Sequence, residues 1–262
     1  MGIIISVINN KGGCGKSTTT YNLAHALGRK GRRVLVIDMD PQCNTTSILF
    51  PDNIPLEKSL HGILKQKVSA EAIDSYIYPT ECQNVTLIPN IAETGSLESE
   101  MMSRAPGCFL KLREQLRSYA STNLDMAIID TPPNMGPFVK CSLYASDFVI
   151  VPIRAGSSFS VEGLIKATNL IGEVQEKGNP NLRFLRLLIN GLDKRTRICK
   201  TLAGQIRQTF DKDKVFETEI PANTSFERAE AMRETIFQYD GRAAGARAFC
   251  RLAEEFISVM EG

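Results

Sequence analysis

The sequence predicts an α/β protein with a single doubly wound, mostly parallel sheet and helices on both faces, formed by residues 1–262 as one domain. Two observations carry this. Short apolar runs that read as buried strands alternate, from end to end, with stretches whose apolar residues recur at helical spacing. No Gly/Ser-rich linker interrupts that alternation.

The first run is Ile3-Ile4-Ile5-Ser6-Val7-Ile8, and Thr19 to Leu27 after it reads as a helix. Between them lies Lys11-Gly12-Gly13-Cys14-Gly15-Lys16-Ser17-Thr18. A glycine-rich turn between strand and helix lets backbone N–H groups converge on one point, because glycine accepts positive φ and has no Cβ to hold a phosphate away. The helix start adds unpaired N–H groups and the positive end of its dipole. Lys16 can reach β- and γ-phosphates, and the Ser17 hydroxyl can hold Mg²⁺. This is the pattern of a nucleoside triphosphate site. The ordinary loop has glycine five residues before Gly15; here Asn10 stands there, and a second lysine, Lys11, precedes the glycine pair.

Gly31 marks the end of the first helix, and Arg33–Asp38 reads as the second strand, closing on Asp38-Met39-Asp40-Pro41-Gln42. Ligands in open α/β sheets sit beyond the carboxyl ends of the strands, so both aspartates face the phosphate loop. Residues 43–55 read as loop, with short helical patterns at Leu60–Gln66 and Ala70–Ile73 and a short strand at Val85–Pro89. Glu93–Glu100 is polar and acidic, and Phe109–Tyr119 is helical. The strand Met126–Asp130 then ends in an acid before Thr131-Pro132-Pro133, the usual form of a carboxylate that holds Mg²⁺ through water. A strand at Phe148–Pro152, a helix at Ser158–Lys177, a strand at Arg183–Asn190, a helix at Ile198–Phe210 and a short strand at Val215-Phe216 follow. Beyond Ile220-Pro221-Ala222-Asn223, a last helix, Ala243–Met260, puts Phe249, Leu252, Phe256, Ile257 and Met260 on one face. The acidic end of that helix favours core packing over a membrane foot.

Composition narrows the setting. No apolar run approaches the roughly 18–20 residues of a membrane span. No signal-like segment precedes the first strand. Seven scattered cysteines, an odd number without a Cys-x-x-Cys pair, and only His25 and His61 beside them leave no zinc spacing and point to reduced thiols in the cytoplasm. The net charge of +2 predicts no polyanion partner, but Arg183–Lys214 holds nine Lys/Arg against three Asp/Glu, a local +6.

The phosphate loop from Lys11, Asp38-Met39-Asp40-Pro41-Gln42, Ile129-Asp130-Thr131-Pro132-Pro133 and Ile220-Pro221-Ala222-Asn223, in that order, resemble the ParA/Soj partition ATPases of the deviant P-loop superfamily that also contains MinD. The likeness spans nearly the whole chain and is to the short form without an N-terminal helix-turn-helix. The resemblance implies a slow, partner-stimulated ATPase with ATP and Mg²⁺ as cofactors. In it two subunits sandwich two ATP molecules, with Lys11 reaching the partner's phosphates and Lys16 acting in its own subunit. It implies that Asp40 orients the attacking water, that Ser17 and Asp130 stand nearest Mg²⁺ with Asp38 behind them, and that Asn190, Pro221 and Asn223 flank the adenine. A homodimer on non-specific double-stranded DNA, a ParB-like adaptor, nucleoid association and no membrane partner complete it. Arg195 matches a DNA-binding arginine of the family, with Lys194, Arg197 and Lys200 as neighbours and Arg242, Arg247 and Arg251 as further candidates. Ala222 and Ser225 stand where relatives often carry basic residues, and Arg228 where an acid is common. The alternative is a MinD-like or cargo-positioning ATPase acting on a membrane or protein scaffold. A nitrogenase-type reductase is excluded, since Cys108 and Cys141 lack its surrounding motif.

Overall fold

The computed structural model describes residues 2–50, 52–66, 70–154, 161–193 and 195–261. In chain order the elements are β1 (Ile3–Val7), α1 (Lys16–Arg29), β2 (Val34–Asp38), α2 (Asn44–Leu49), α3 (Leu60–Lys65), β3 (Tyr78–Pro79) and β4 (Val85–Ile88). There follow α4 (Leu97–Ser103), α5 (Lys111–Asn123), β5 (Met126–Asp130), α6 (Pro137–Ala145), β6 (Phe148–Arg154) and α7 (Val161–Lys177). The chain closes with β7 (Arg183–Asn190), α8 (Arg197–Thr209), α9 (Thr224–Ala231), α10 (Ile236–Asp240) and α11 (Ala244–Glu261).

The strands form one sheet in the order β3-β4-β2-β5-β1-β6-β7. Every pairing is parallel except that of the two-residue edge strand β3 with β4. The pleat sends alternate side chains to opposite faces. Ile4, Leu35, Ile37, Ala127 and Ile129 pack with α3, α5, α6 and α7. Ile5, Val7, Val34, Val36 and Ile128 pack with α1, α2, α10 and α11. Both faces are therefore covered, which is why the central strands read as unbroken aliphatic runs. Fully burying each valine, leucine or isoleucine among them contributes about 1.5–3 kcal/mol.

The sheet places the site. The order reverses about β1, whose neighbours β5 and β6 come much later in the chain, so the turn after β1 opens at the switch point of the sheet. The parallel register then sets Asp38 beside Asp130 and brings Arg154 level with Asn190 at the same carboxyl edge.

Several elements differ from the sequence reading. Residues 44–49, expected as loop, are helix α2, whose Thr45 and Thr46 are buried. Turn-forming residues there turn inward, to the strand-end carboxylates. Helix α6 shows no apolar period because almost all of it is buried, including Phe138, Val139, Cys141, Leu143 and Tyr144. Its start is set by Pro137 in the first turn, where a missing N–H costs nothing. In the acidic stretch, Leu97 and Met101, four apart, suffice to bury one face of α4. Ala70–Tyr76 is a 3₁₀ segment, and Val215 joins the sheet as a single bridge to Leu187 and not as a strand. The apolar face of α11 lies in the core, with Phe249 and Phe256 sealed and Leu252 nearly so. Lys30 and Arg32, just beyond the end of α1, pair with Glu254 and Glu261 of that helix. No helix among the described residues is long and apolar enough to cross a membrane.

Candidate functional site

Between β1 and α1 the backbone takes positive φ at Gly13 (+70°) and Gly15 (+87°). Gly15 is required twice. Its left-handed backbone disfavours other residues, and a Cβ there would stand 2.0 Å from Nδ2 of Asn190. That amide donates to the Cys14 carbonyl at 3.2 Å, so the end of β7 props the loop from beside. Gly15 gives α1 no side-chain cap, and the first turn of α1 holds no acidic residue. Its leading N–H groups are thus left for an anion.

The two lysines behave differently. Lys16 is 6% exposed, with Nζ donating to the Lys11 carbonyl at 3.3 Å, so its ammonium is held inside the loop. Lys11 is exposed and has no side-chain hydrogen bond or ion pair among the described residues. Cys14 is buried, and burial raises its thiol pKa, which suits an inert filler.

Behind the loop, Asp38 and Asp130 are fully buried. Asp38 accepts from the Asp40 N–H at 3.1 Å and from Thr46 N–H and hydroxyl at 2.8 and 2.7 Å. Asp130 Oδ2 accepts from the Thr45 hydroxyl at 2.6 Å. Burial raises the pKa of both carboxyls; the Asp130 charge adds to it at Asp38, while the hydrogen bond from Thr45 and the nearby Ser17 hydroxyl oppose it at Asp130. Asp130 Oδ1 is buried and has no partner. An unpartnered carboxylate oxygen beside the Ser17 hydroxyl suits a hard divalent cation with oxygen ligands, and Mg²⁺ fits this donor set. Asp40 differs in placement. It lines the open cleft, and its Oδ1 accepts from the Gln42 N–H at 3.0 Å.

The cleft has a volume of about 500 Å³ and is walled by residues 12–18, Asp40, Asn190, Pro221 and Asn223. All of the expected nucleotide-binding positions except Lys11 thus line one cavity, with Asp38 and Asp130 behind its wall. Asn223 has a second task, since its side-chain oxygen caps α9 by accepting from Ser225 N–H at 2.9 Å. Its NH₂ then remains free of that task and can serve a ligand. The sequence reading missed Thr45 and Thr46, and also Arg154, Phe226, Glu227 and Glu230, which line the same cleft. Nothing local marks the last four; they arrive through β6 and α9.

The candidate DNA residues fall in different places. Arg195 lines the rim of the cleft and forks onto Asp193, with Nε and Nη2 at 3.0 and 2.9 Å from its carboxylate. Arg197 and Lys200 are exposed on the first turns of α8, and Lys194 lies outside the described residues. Arg242 precedes the last helix and does not lie on it, because α11 begins at Ala244 and the Arg242 N–H is tied in a turn to Asp240 at 2.9 Å. Arg247 does lie on α11, bonded to the Arg242 carbonyl.

A family model described as an AAA domain matches residues 2–184. The sporulation initiation inhibitor protein Soj of Bacillus subtilis is 34% identical over 258 residues, covering 97% of this chain and 98% of that protein. The chain belongs to the ParA/Soj-type ATPases. A solved structure of a putative plasmid partition protein from Borrelia burgdorferi bound to AMPPNP matches with a TM-score of 0.82 and 27% identity, over 98% of this chain and 99% of that one. A cobyrinic acid a,c-diamide synthase from Mycobacterium smegmatis with bound ADP and magnesium has a TM-score of 0.83 at 27% identity, covering 100% of this chain and 96% of that chain. As a ParA/Soj-type protein, the chain is a nucleotide-hydrolysing P-loop ATPase.

Proposed function

We propose that this protein is an ATP-dependent DNA-partition ATPase of one domain that closes on ATP as a homodimer. The observation that carries the reading is the contrast between the two lysines, Lys16 folded into the loop and Lys11 exposed beside it. A site that needed only its own subunit's charge would be served by Lys16. An exposed second lysine at the start of the loop is suited to a phosphate bound in another copy. ATP then acts as the glue between subunits, and hydrolysis dissolves the dimer.

Within each subunit Lys16, the N–H groups of residues 12–18 and the start of α1 hold the phosphates. Ser17 and Asp130 hold Mg²⁺, and Asp38 fixes the turn that carries Asp40. The cation offsets charge on the phosphate oxygens. Asp40, on the cleft wall, orients the attacking water. Asn190, Pro221 and the NH₂ of Asn223 flank the base. Arg195, Arg197 and Lys200, with Lys194, Arg242 and Arg247, contact DNA phosphates without a base code. Two such surfaces in one dimer engage more phosphates at once than a monomer does, so DNA affinity rises with dimerisation. A ParB-like partner speeds hydrolysis, and the protein works on the nucleoid in the cytoplasm. The likeness to the plasmid partition protein of Borrelia burgdorferi supports the partition role.

The test is light scattering with ATP and with ADP. The parent is expected to dimerise with ATP, and Lys11→Ala to bind nucleotide yet stay monomeric. A Lys11→Ala protein that dimerises like the parent would sink the sandwich. Co-sedimentation with arbitrary duplex DNA and with anionic liposomes then decides the surface, and binding to liposomes alone would favour a membrane-positioning role.

A further inference from the structure

Arg154 ends β6, and none of the roles above uses it. It lines the same cleft as the phosphate loop. Gly191 leaves room for its stem, since with φ at +65° and no side chain it lets Arg154 Cγ come within 3.3 Å of where a Cβ would stand. At the far end of the side chain, Nη1 donates to the Gly13 carbonyl at 3.4 Å. The Lys16 ammonium meets the Lys11 carbonyl at 3.3 Å. The two cations therefore attach to the same end of the loop, two residues apart, and Lys16 is the group that reaches β- and γ-phosphates.

The chemistry favours a phosphate over the carbonyl. A bond of 3.4 Å to a neutral oxygen is long, whereas guanidinium to a charged oxygen closes to about 2.7–2.9 Å and is roughly twice as strong. Arginine also offers a planar fork of donors, so it can take a phosphate oxygen while its other bonds adjust. Resting on the reading of this cleft as a triphosphate site, we propose that Arg154 bonds the terminal phosphate of the nucleotide in its own subunit. It is then the residue by which this site tells ATP from ADP.

The measurement is calorimetric affinity for AMPPNP and for ADP, with Mg²⁺, in the parent, Arg154→Gln and Arg154→Lys. Arg154→Gln is expected to lose about 10- to 100-fold for AMPPNP and less than about twofold for ADP. Arg154→Lys, which keeps the charge without the fork, is expected to fall between. Equal losses for both nucleotides, or none, would overturn the proposal. Repeating the titrations in a Lys11→Ala background separates the subunits. A loss that persists there supports bonding within one subunit, and one that vanishes refutes it. Should Arg154→Gln fail to unfold cooperatively without nucleotide, Arg154→Lys carries the same comparison. A parent that binds neither nucleotide would instead defeat the proposed function itself.

Discussion

At the phosphate end of the cleft, Lys16 is 6% exposed and Asp38 and Asp130 are sealed, whereas at the rim the Arg195 side chain is 90% exposed and pairs with Asp193. On the proposed function both regions act on phosphates, yet they are built on opposite principles. The buried groups sit where the sheet puts them before any ligand arrives, their hydrogen bonds made to backbone and to hydroxyls of α2. Ordering costs little at the moment of binding, and low-dielectric surroundings strengthen each interaction. The rim arginine is hydrated and screened by salt, so its pair with Asp193 adds little. Single residues therefore decide the first region, and numbers of residues decide the second.

The largest effect that would sharpen this comparison is at Asp40. Replacing it with alanine is expected to slow phosphate release about 10²- to 10⁴-fold while leaving ATP binding and dimerisation in place. Release at the parental rate would remove Asp40 from the chemistry. Next is Lys16→Ala, for which calorimetry is expected to find ATP affinity down more than about 100-fold, because the held counter-charge inside the loop has no substitute. Ordinary affinity in that variant would break the site assignment.

A buried titratable group elsewhere on α1 gives a smaller, separate test. His25 is buried, with Nδ1 2.7 Å from the Thr235 hydroxyl and 3.3 Å from the Cys82 sulfur. Burial, aided by the Arg29 charge, pushes its pKa down to about 4. The unfolded chain, with an imidazole near 6.5, binds the proton more readily. The contribution of His25 is thus complete above about pH 6.5 and is lost as pH falls toward about 4, roughly 2 kcal/mol between about pH 7.5 and 5. Urea titrations of the parent and of His25→Gln are expected to differ in this pH slope. Identical slopes would mean that another group is responsible.

The smallest effect belongs to the rim. Arg195→Ala, compared with the parent as ATP-bound dimers, is expected to weaken DNA binding modestly and to flatten the log–log salt slope by about 0.9 for each phosphate that is no longer neutralised. A large drop in affinity from this one exposed side chain would erase the distinction between the two regions, and an unchanged slope would take Arg195 off the DNA surface.

Much of the phosphate end was legible in the sequence because it is local. A strand, a glycine turn and a helix start are contiguous from Ile3 to Leu27, and an acid closing an apolar strand announces itself at Asp38 and again at Asp130. Turn chemistry and helix termini act over a few residues, so spacing alone conveys them. Legibility failed where a residue's task depends on another part of the chain. Thr45 and Thr46 look like loop formers until α2 turns them onto Asp130 and Asp38. Asn190 was assigned by family likeness to the adenine, and the fold also sets its amide against Gly15, from the far end of the chain.

By itself, then, the sequence determined which strand ends carry charge, where the phosphate loop lies and that its residues suit a triphosphate. Only the tertiary structure decided that Arg154, Asn190 and α9 meet that loop in one cleft, that the Asp38–Asp130 pair is closed off while Asp40 faces the cavity, and that Arg195 stands at its rim. The reason is the order of the parallel strands. Side-chain packing across two faces fixes which late strands lie beside β1, and no local periodicity encodes that neighbourhood.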